Sequence, residues 1–199
     1  MPNRTSANDA TLAAYENGVE AYVSGTPAEV AGFFKTWIDK TLSLLPKEAK
    51  IFEVGSAFGR DAKYMESFGF SVQRSDAVQG FVDLLREEGH SAQLFNALTD
   101  PFPGTYDLIF ANAVFLHLNR DELRIVLKKV QGSLNVQGIL SFSVKIGKGE
   151  EWTDAKVGSP RYFCYWNRQD LDRLVEETGF HILYKSQDDK FLNVIARRF

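Results

Sequence analysis

Hydrophobic and polar positions along the chain follow two periods, one typical of strands and the other of helices. Short apolar runs predict strands at 50–54, 70–75, 91–96, 107–112 and 139–146. Amphipathic stretches predict intervening helices at about 60–68, 79–88, 120–134 and 168–178. Regular alternation of this kind predicts a parallel sheet with helices on both faces, because parallel strands need long crossover connections.

The first 46 residues show helical periodicity without strands and predict a helical cap. The segment TLAAYENGVEAYVSG places Leu12, Tyr15, Val19, Tyr22 and Val23 on one helical face. The segment TPAEVAGFFKTWIDKTLSLLP predicts a second helix, with Thr26 as N-cap, Pro27 at the first helical position and Glu29 closing a capping box. Its predicted buried stripe is Val30, Phe33, Phe34, Trp37 and Ile38.

The C-terminal segment HILYKSQDDKFLNVIARRF departs from the alternation. It predicts two strands around the turn at Asp188 and Asp189, so one strand must run antiparallel to its neighbours. The predicted fold is therefore α/β: a doubly wound, Rossmann-like sheet of about seven strands, mostly parallel, with a C-terminal antiparallel hairpin and an N-terminal helical cap. We expect a single domain over 1–199, with the cap at 1–46 and the sheet core at 47–199.

Composition and charge narrow the class of protein. A chain of 199 residues with 44% hydrophobic and 25% charged residues is typical of one globular domain. Its net charge of −3 provides no basic field for a phosphate backbone, so we expect no nucleic-acid partner. Cys164 is the single cysteine, and neither a secretory signal nor an apolar run of about 20 residues is evident. These features predict a cytoplasmic protein without a membrane partner; they leave the oligomeric state open.

The stretch KIFEVGSAFGRDAKYM predicts a strand, a tight glycine loop and a helix, and such loops bind ligands at the carboxyl ends of parallel strands. A phosphate-binding loop needs Gly-Lys-Ser/Thr, which does not occur here. A dinucleotide fingerprint beginning at Gly55 would place Ala57 and Arg60 at its second and third glycines. The Glu53 carboxylate would repel a pyrophosphate but attract a ligand bearing ammonium and sulfonium groups, such as S-adenosylmethionine. Asp76, at the end of the second strand, suits ribose hydroxyls of either ligand class.

From Ile51 to about Phe180 the chain resembles the class I S-adenosylmethionine-dependent methyltransferases, especially small bacterial ones that act on small molecules. FEVGSAFGRDA resembles their first motif with Ala57 in place of the middle glycine, VQRSDAV their acidic ribose position, and LFNALTDPFPGTYDLIFANAVFLHL their third and fourth strands. The resemblance implies methyl transfer to an O or N nucleophile of a small molecule. It also implies cofactor contacts from Glu53, Gly55, Ala57, Gly59, Arg60, Asp76, Ala77, Asn96, Ala97 and Asn112.

Candidates for chemistry and acceptor binding follow the fourth and fifth strands. His117 is a candidate acid or base, although a structural histidine is the common alternative. The loop at 147–161 is long enough to be a lid, and an aromatic, cationic acceptor pocket is predicted around it. Its candidates, with two tyrosines of the cap, are Tyr15, Tyr22, Lys145, Trp152, Arg161, Tyr162 and Tyr165. The alternative for YFCYW is an apolar strand followed by a helix capped by Asn167.

Other classes of function remain as alternatives. His90 and His181 lack acidic or cysteine partners at metal-ligand spacing, so we predict no metal. ANAV stands where many enzymes that methylate DNA bases carry Asn/Asp-Pro-Pro-aromatic, which disfavours base methylation. The rival readings are an NAD-dependent oxidoreductase and a methyltransferase-fold protein that binds without catalysis.

Overall fold

The protein is described from a computed structural model covering residues 6–199. Its helices are α1 (Ala7–Glu16), α2 (Val19–Ser24), α3 (Gly32–Leu42), α4 (Arg60–Glu66), α5 (Gln79–Glu87), α6 (Arg120–Ser133) and α7 (Arg168–Glu177), with a short 3₁₀ helix at Phe115–His117. Its strands are β1 (Lys50–Val54), β2 (Ser71–Asp76), β3 (Ala92–Leu94), β4 (Tyr106–Ala111), β5 (Leu134–Ile146), β6 (Glu150–Thr153), β7 (Arg161–Trp166), β8 (Phe180–Gln187) and β9 (Phe191–Arg198).

The strands form a mostly parallel sheet with an antiparallel C-terminal hairpin, as predicted. β3, β2, β1, β4 and β5 pair in parallel in that order. β9 then pairs antiparallel with β5, and β8 antiparallel with β9, so β8 again has the direction of the central strands. The antiparallel strand β9 therefore lies between β5 and the strand β8.

A second hairpin, β6–β7, was not expected within the predicted loop at 147–161. β7 pairs in parallel with the last part of β5, which extends beyond the end of β4: Lys145 and Ile146 of β5 pair with Tyr165 and Trp166 of β7. β6 pairs antiparallel with β7. YFCYW therefore forms a strand, which is the alternative to an acceptor pocket. The Asn167 side chain caps α7 by accepting a hydrogen bond from the backbone N–H of Asp170 at 2.9 Å. The sheet has nine strands instead of about seven.

Helices cover both faces of the sheet, as the alternation predicts. One core contains Leu127 of α6 and Leu174 of α7; the opposite core contains Trp37 of α3 and Met65 of α4. Trp37 stacks on Phe110 of β4, with ring centroids 4.9 Å apart. α3 is therefore a structural layer of the sheet domain as well as part of the N-terminal cap.

The predicted start of this helix and its capping box are wrong. α3 begins at Gly32, and the Thr26 hydroxyl donates to the carbonyl of Tyr22 instead of capping the helix. Residues 26–31 lie outside any helix, and Ala31 is the N-cap of α3 without a side-chain capping bond. The first predicted helix is likewise two helices, α1 and α2, separated at Asn17 and Gly18. No helix among residues 6–199 is long and apolar enough to cross a membrane.

Candidate functional site

Two adjoining cavities lie at the carboxyl ends of β1, β2 and β4. Counted with their open mouths they contain about 740 Å³ and 920 Å³ of space between atoms. Both are lined by Tyr22, Gly55, Ala57, Asn112 and Ala113. A ligand that follows the glycine loop would therefore extend from the first cavity into the second.

The first cavity combines a buried carboxylate with apolar walls. Asp76 accepts hydrogen bonds from the backbone N–H groups of Ala57 and Val78, each at 2.9 Å. Burial raises the pKa of Asp76 to about 6, although these two donors favour the ionised form. A carboxylate has about four lone-pair positions, so each oxygen can still accept a ligand hydroxyl. Val78 and Phe115 add apolar surface beside it.

The glycine loop owes its shape to close packing beneath it. Gly55 has φ +73°, and a Cβ at this position would lie 2.4 Å from a methyl group of Val114. Ala57 has φ +48°, so this alanine occupies the left-handed region where the family motif has glycine. Its N–H is thereby directed to Asp76. Gly59, at the start of α4, lines neither cavity.

Glu53 lies beneath the loop and not in the cavities. Its side chain is 2% exposed and its Oε2 has no hydrogen-bond partner in the described chain. Burial, followed by repulsion from Asp61, raises its pKa to about 8; Asp76 adds to this repulsion and Arg74 opposes it. The expectation that Glu53 faces the ligand directly is therefore corrected: this strand residue is turned under the loop, where burial favours its protonated, uncharged form.

Helix α1 covers the first cavity with three residues that are absent from the predicted site. Asn8, Thr11 and Leu12 line the cavity. Asn96 Nδ2 donates to Asn8 Oδ1 at 2.8 Å, so this predicted cofactor-binding residue is joined to the roof. Of the three α1 residues, only Leu12 belongs to the helical face predicted from the sequence, and that pattern does not show what the residue covers.

Tyr15 connects this roof to the β6–β7 hairpin. Arg161 Nη1 donates to the Tyr15 hydroxyl oxygen at 2.8 Å, and the hydroxyl lies 2.8 Å from His117 Nε2. His117 Nδ1 lies 2.6 Å from the carbonyl oxygen of Tyr162. Because a carbonyl only accepts, Nδ1 carries the proton, and Nε2 accepts from Tyr15. Both ring nitrogens are thus occupied.

His117 lines the first cavity but is poorly suited to proton transfer. Burial, with a smaller effect of nearby Arg161 and Lys145, lowers its pKa to about 3 despite the opposing hydrogen bond to Tyr162. The imidazole is therefore neutral at ordinary pH and would have to leave a hydrogen bond in order to act. This geometry favours the structural alternative for His117.

The second cavity has mainly apolar walls and a polar floor. Phe34 and Phe191 meet edge to face on one side, with centroids 5.1 Å apart. At the floor, Asn112 Nδ2 donates to Asp61 Oδ2 at 2.7 Å, and Arg60 Nε donates to Asp61 Oδ1 at 2.7 Å. Lys156, from the turn of the β6–β7 hairpin, closes the other side.

A buried serine fixes Asn112 between the two cavities. Ser143 of β5 donates to Asn112 Oδ1 at 2.9 Å and accepts from the backbone N–H of Ala113 at 2.7 Å. The Asn112 amide therefore has a defined orientation, with its nitrogen toward Asp61. Residues 138–144 of β5 are all buried, so alternation does not single out Ser143, and only the register with β4 shows this role.

The structure brings together most of the predicted cofactor residues and only part of the predicted acceptor set. The cavities are lined by Gly55, Ala57, Arg60, Asp76, Ala77, Asn96, Ala97 and Asn112, and by Tyr15 and Tyr22. Five predicted acceptor residues line neither cavity: Lys145, Trp152, Arg161, Tyr162 and Tyr165. They belong to the β5 end and the β6–β7 hairpin, whose strand pairing turns them into hairpin contacts; Tyr165, for example, donates to Glu151.

Within residues 6–199, no group of three or more His, Cys, Asp or Glu side chains is arranged to hold a metal ion. The absence of a catalytic metal stays a prediction from the sequence.

Comparison with known proteins identifies the family. A family model described as a methyltransferase domain matches residues 28–185, which is more than half of the chain. The chain belongs to this methyltransferase family. The prediction of an S-adenosylmethionine-dependent methyltransferase, with that cofactor, is confirmed at the level of the family.

This chain is distantly similar to a curated relative. It is 28% identical over 95 residues to the probable S-adenosyl-L-methionine-dependent methyltransferase TehB of Haemophilus influenzae (strain 10810), a match covering 45% of the chain. That match spans only 33% of the curated relative's length.

Solved structures share the fold. The 1,6-didemethyltoxoflavin-N1-methyltransferase of Burkholderia thailandensis, solved with 1,6-didemethyltoxoflavin and S-adenosylhomocysteine, has a TM-score of 0.68 at 17% identity over 100% of this chain and 92% of that one. The CcbJ methyltransferase of Streptomyces caelestis has a TM-score of 0.72 at 15% identity over 92% and 98%. At these identities the likeness is one of fold.

Proposed function

We propose that this protein binds S-adenosylmethionine across the two cavities and transfers its methyl group to an O or N nucleophile of a small molecule. The observation that carries the proposal is the pair of cavities joined at the glycine loop, with Asp76 in one and an apolar chamber in the other. The family match supports the reaction class.

The charges around the loop suit a cationic cofactor. Burial first, and then repulsion from Asp61 and Asp76, raises the pKa of Glu53, so added negative charge is disfavoured beside this loop. A pyrophosphate would increase this repulsion, whereas a sulfonium and an ammonium group would reduce it. The acids therefore favour S-adenosylmethionine over NAD at this loop.

Each part of the site has a proposed task. Asp76 accepts the ribose hydroxyls, Ala77, Asn96 and Ala97 border the adenine, and Arg60 pairs with the methionine carboxylate. Gly55, Ala57 and Asn112 border the junction where the two cavities meet.

The bound cofactor supplies an electrophilic methyl group on a sulfonium, so the protein's contribution is mainly alignment and exclusion of water. The chamber beside the junction, walled by Phe34 and Phe191, holds the acceptor. We assign His117 a positioning role, in which it holds Tyr15 and β7 together, in preference to proton transfer, because both of its nitrogens are hydrogen-bonded.

A thermal-shift comparison of S-adenosylmethionine, S-adenosylhomocysteine and NAD tests the cofactor assignment. At about one hundred times its dissociation constant a ligand adds about 2.7 kcal/mol, which raises the melting midpoint by roughly 5–10 °C for a chain of this size. Shifts with the two sulfur nucleosides alone are expected. A shift with NAD alone, or with none of the three, contradicts the proposal; binding without turnover over a broad acceptor panel would favour a binding protein.

A further inference from the structure

Lys156 is held in the second cavity by contacts between the β6–β7 hairpin and the helical cap. It lies in the hairpin turn, and its Nζ is 3.9 Å from the centroid of the Tyr22 ring. The next residue, Val157, is buried against Gly18, where any added Cβ would lie 2.6 Å from the Val157 Cβ. Arg161 donates to the carbonyl of Ala155 on the other side of the turn. The ammonium group is thus anchored at the cavity wall.

This ammonium group has no counter-ion within residues 6–199. It takes part in none of the ion pairs of that segment, and the Asp61 carboxylate is occupied by Arg60 and Asn112. Burial, followed by repulsion from Arg161 and Arg60, lowers the pKa of Lys156 to about 8. Glu29, the other acid of the lining, is exposed and is not among the charges that act on it. Lys156 is exposed as a whole residue, but its ammonium group lies among other cations at the cavity wall, and such a group favours an anionic partner.

The other walls of the second cavity indicate the chemistry of the uncharged part of that partner. Phe34, Phe191, Val30 and Pro27 present apolar and aromatic surface opposite the polar floor. Aromatic walls of this kind bury a flat apolar ligand well. If the cofactor binds as proposed above, its sulfonium and ammonium groups add positive charge beside the same chamber, which further favours an acidic ligand.

We propose that the methyl acceptor is an aromatic or similarly apolar acid, and that Lys156 selects it by pairing with its acidic group. The inference rests on the proposed function, since it names the acceptor class of the same site. A carboxylate could also come from the methionine part of the cofactor, so the test must separate the two sources.

The experiment uses the full chain saturated with S-adenosylhomocysteine. Benzoate, 2-naphthoate and indole-3-acetate are titrated beside their primary amides, which match them in shape but not in charge, and binding is measured by calorimetry and ligand-observed NMR. We expect at least one acid to bind ten-fold or more tightly than its amide. Lys156→Gln should remove this preference and Lys156→Arg should retain part of it. Residue 156 has a left-handed backbone with φ +79°, and glutamine and lysine are strained equally there, so the substitution changes the charge and not the backbone strain.

Two controls make the outcome decisive. Lys148→Gln removes an exposed lysine near the same hairpin that lines neither cavity, and it should leave the preference intact. The affinity of Lys156→Gln for S-adenosylhomocysteine should stay within two-fold of the wild type. If that affinity falls while discrimination between acids and amides persists, Lys156 serves the cofactor and the inference is wrong. It is equally wrong if no acid is preferred over its amide. If the wild type does not bind S-adenosylhomocysteine at all, the proposed function fails first and this inference with it.

Discussion

Replacing Glu53 with glutamine should make the free protein more stable at alkaline pH. The carboxyl is fully enclosed, close to Asp61 and Asp76, with one oxygen lacking a partner. Its pKa is about 8 in the folded chain, against an ordinary value of 4.5. The folded state therefore binds this proton more tightly than the unfolded state does.

The sign of the pH effect follows from this linkage. The stabilising contribution of the bound proton is complete below pH 4.5 and is lost as the pH rises through about 8. At about 1.36 kcal/mol per pH unit, the difference between the two pKa values corresponds to at most roughly 5 kcal/mol. Glutamine has nearly the shape of the protonated acid and does not titrate, so the variant should lack this loss.

Urea denaturation at pH 5 and at pH 8.5 measures the effect. The free energy of unfolding of Glu53→Gln minus that of the wild type should be about 1 kcal/mol at pH 5 and should rise by roughly 4 kcal/mol at pH 8.5. Taking the difference cancels the titrations of groups that do not interact with Glu53; that of Asp76, whose charge acts on Glu53, is not cancelled. Glu87→Gln, an exposed change on α5, is the matched control and should show no pH-dependent difference.

The same experiment repeated with S-adenosylhomocysteine and S-adenosylmethionine links stability to function. The cationic cofactor should stabilise the wild type more than Glu53→Gln at pH 8.5, because only the wild type has a buried negative charge to offset. An equal stability difference between variant and wild type at pH 5 and pH 8.5 would refute the reasoning, since it would mean that Glu53 is ionised throughout.

Three further substitutions test other parts of the site. Asp76→Ala should weaken S-adenosylhomocysteine binding at least ten-fold by calorimetry, because the proposed ribose acceptor is lost; unchanged affinity would place the nucleoside elsewhere. Gly55→Ala should lower the free energy of unfolding by about 2–4 kcal/mol, because the added Cβ would lie 2.4 Å from a valine methyl group. Gly89→Ala is the control: this glycine also has a positive φ but open space around it, so the loss should be only the roughly 1–2 kcal/mol of backbone strain. Equal losses in the two variants would show that packing is not the cause. Tyr15→Phe should lose about 1–3 kcal/mol in urea denaturation, since it leaves His117 Nε2 buried without its donor, and a loss below 0.5 kcal/mol would contradict the network.

The order of elements and the cofactor edge were predictable from local sequence. Strand and helix periodicities, helix caps such as Asn167 and the glycine loop depend on residues a few positions apart, so the pattern of side chains carries them directly. Gly55, Asp76 and Asn112 follow strands whose carboxyl ends meet at one edge of a parallel sheet, which is why their proximity could be inferred before any contact was known.

Only the tertiary structure decided how the site is closed and which groups stay charged. Tyr15 meets His117 across 102 positions and Arg161 across 146, through the unforeseen β6–β7 hairpin. The same hairpin delivers Lys156 to the second cavity and removes Trp152 and Tyr165 from it. The burial of Glu53 depends on a strand side chain lying under its own loop. Such features arise from packing between distant segments and from the loss of water around a charge, and neither leaves a periodic trace in the amino-acid sequence.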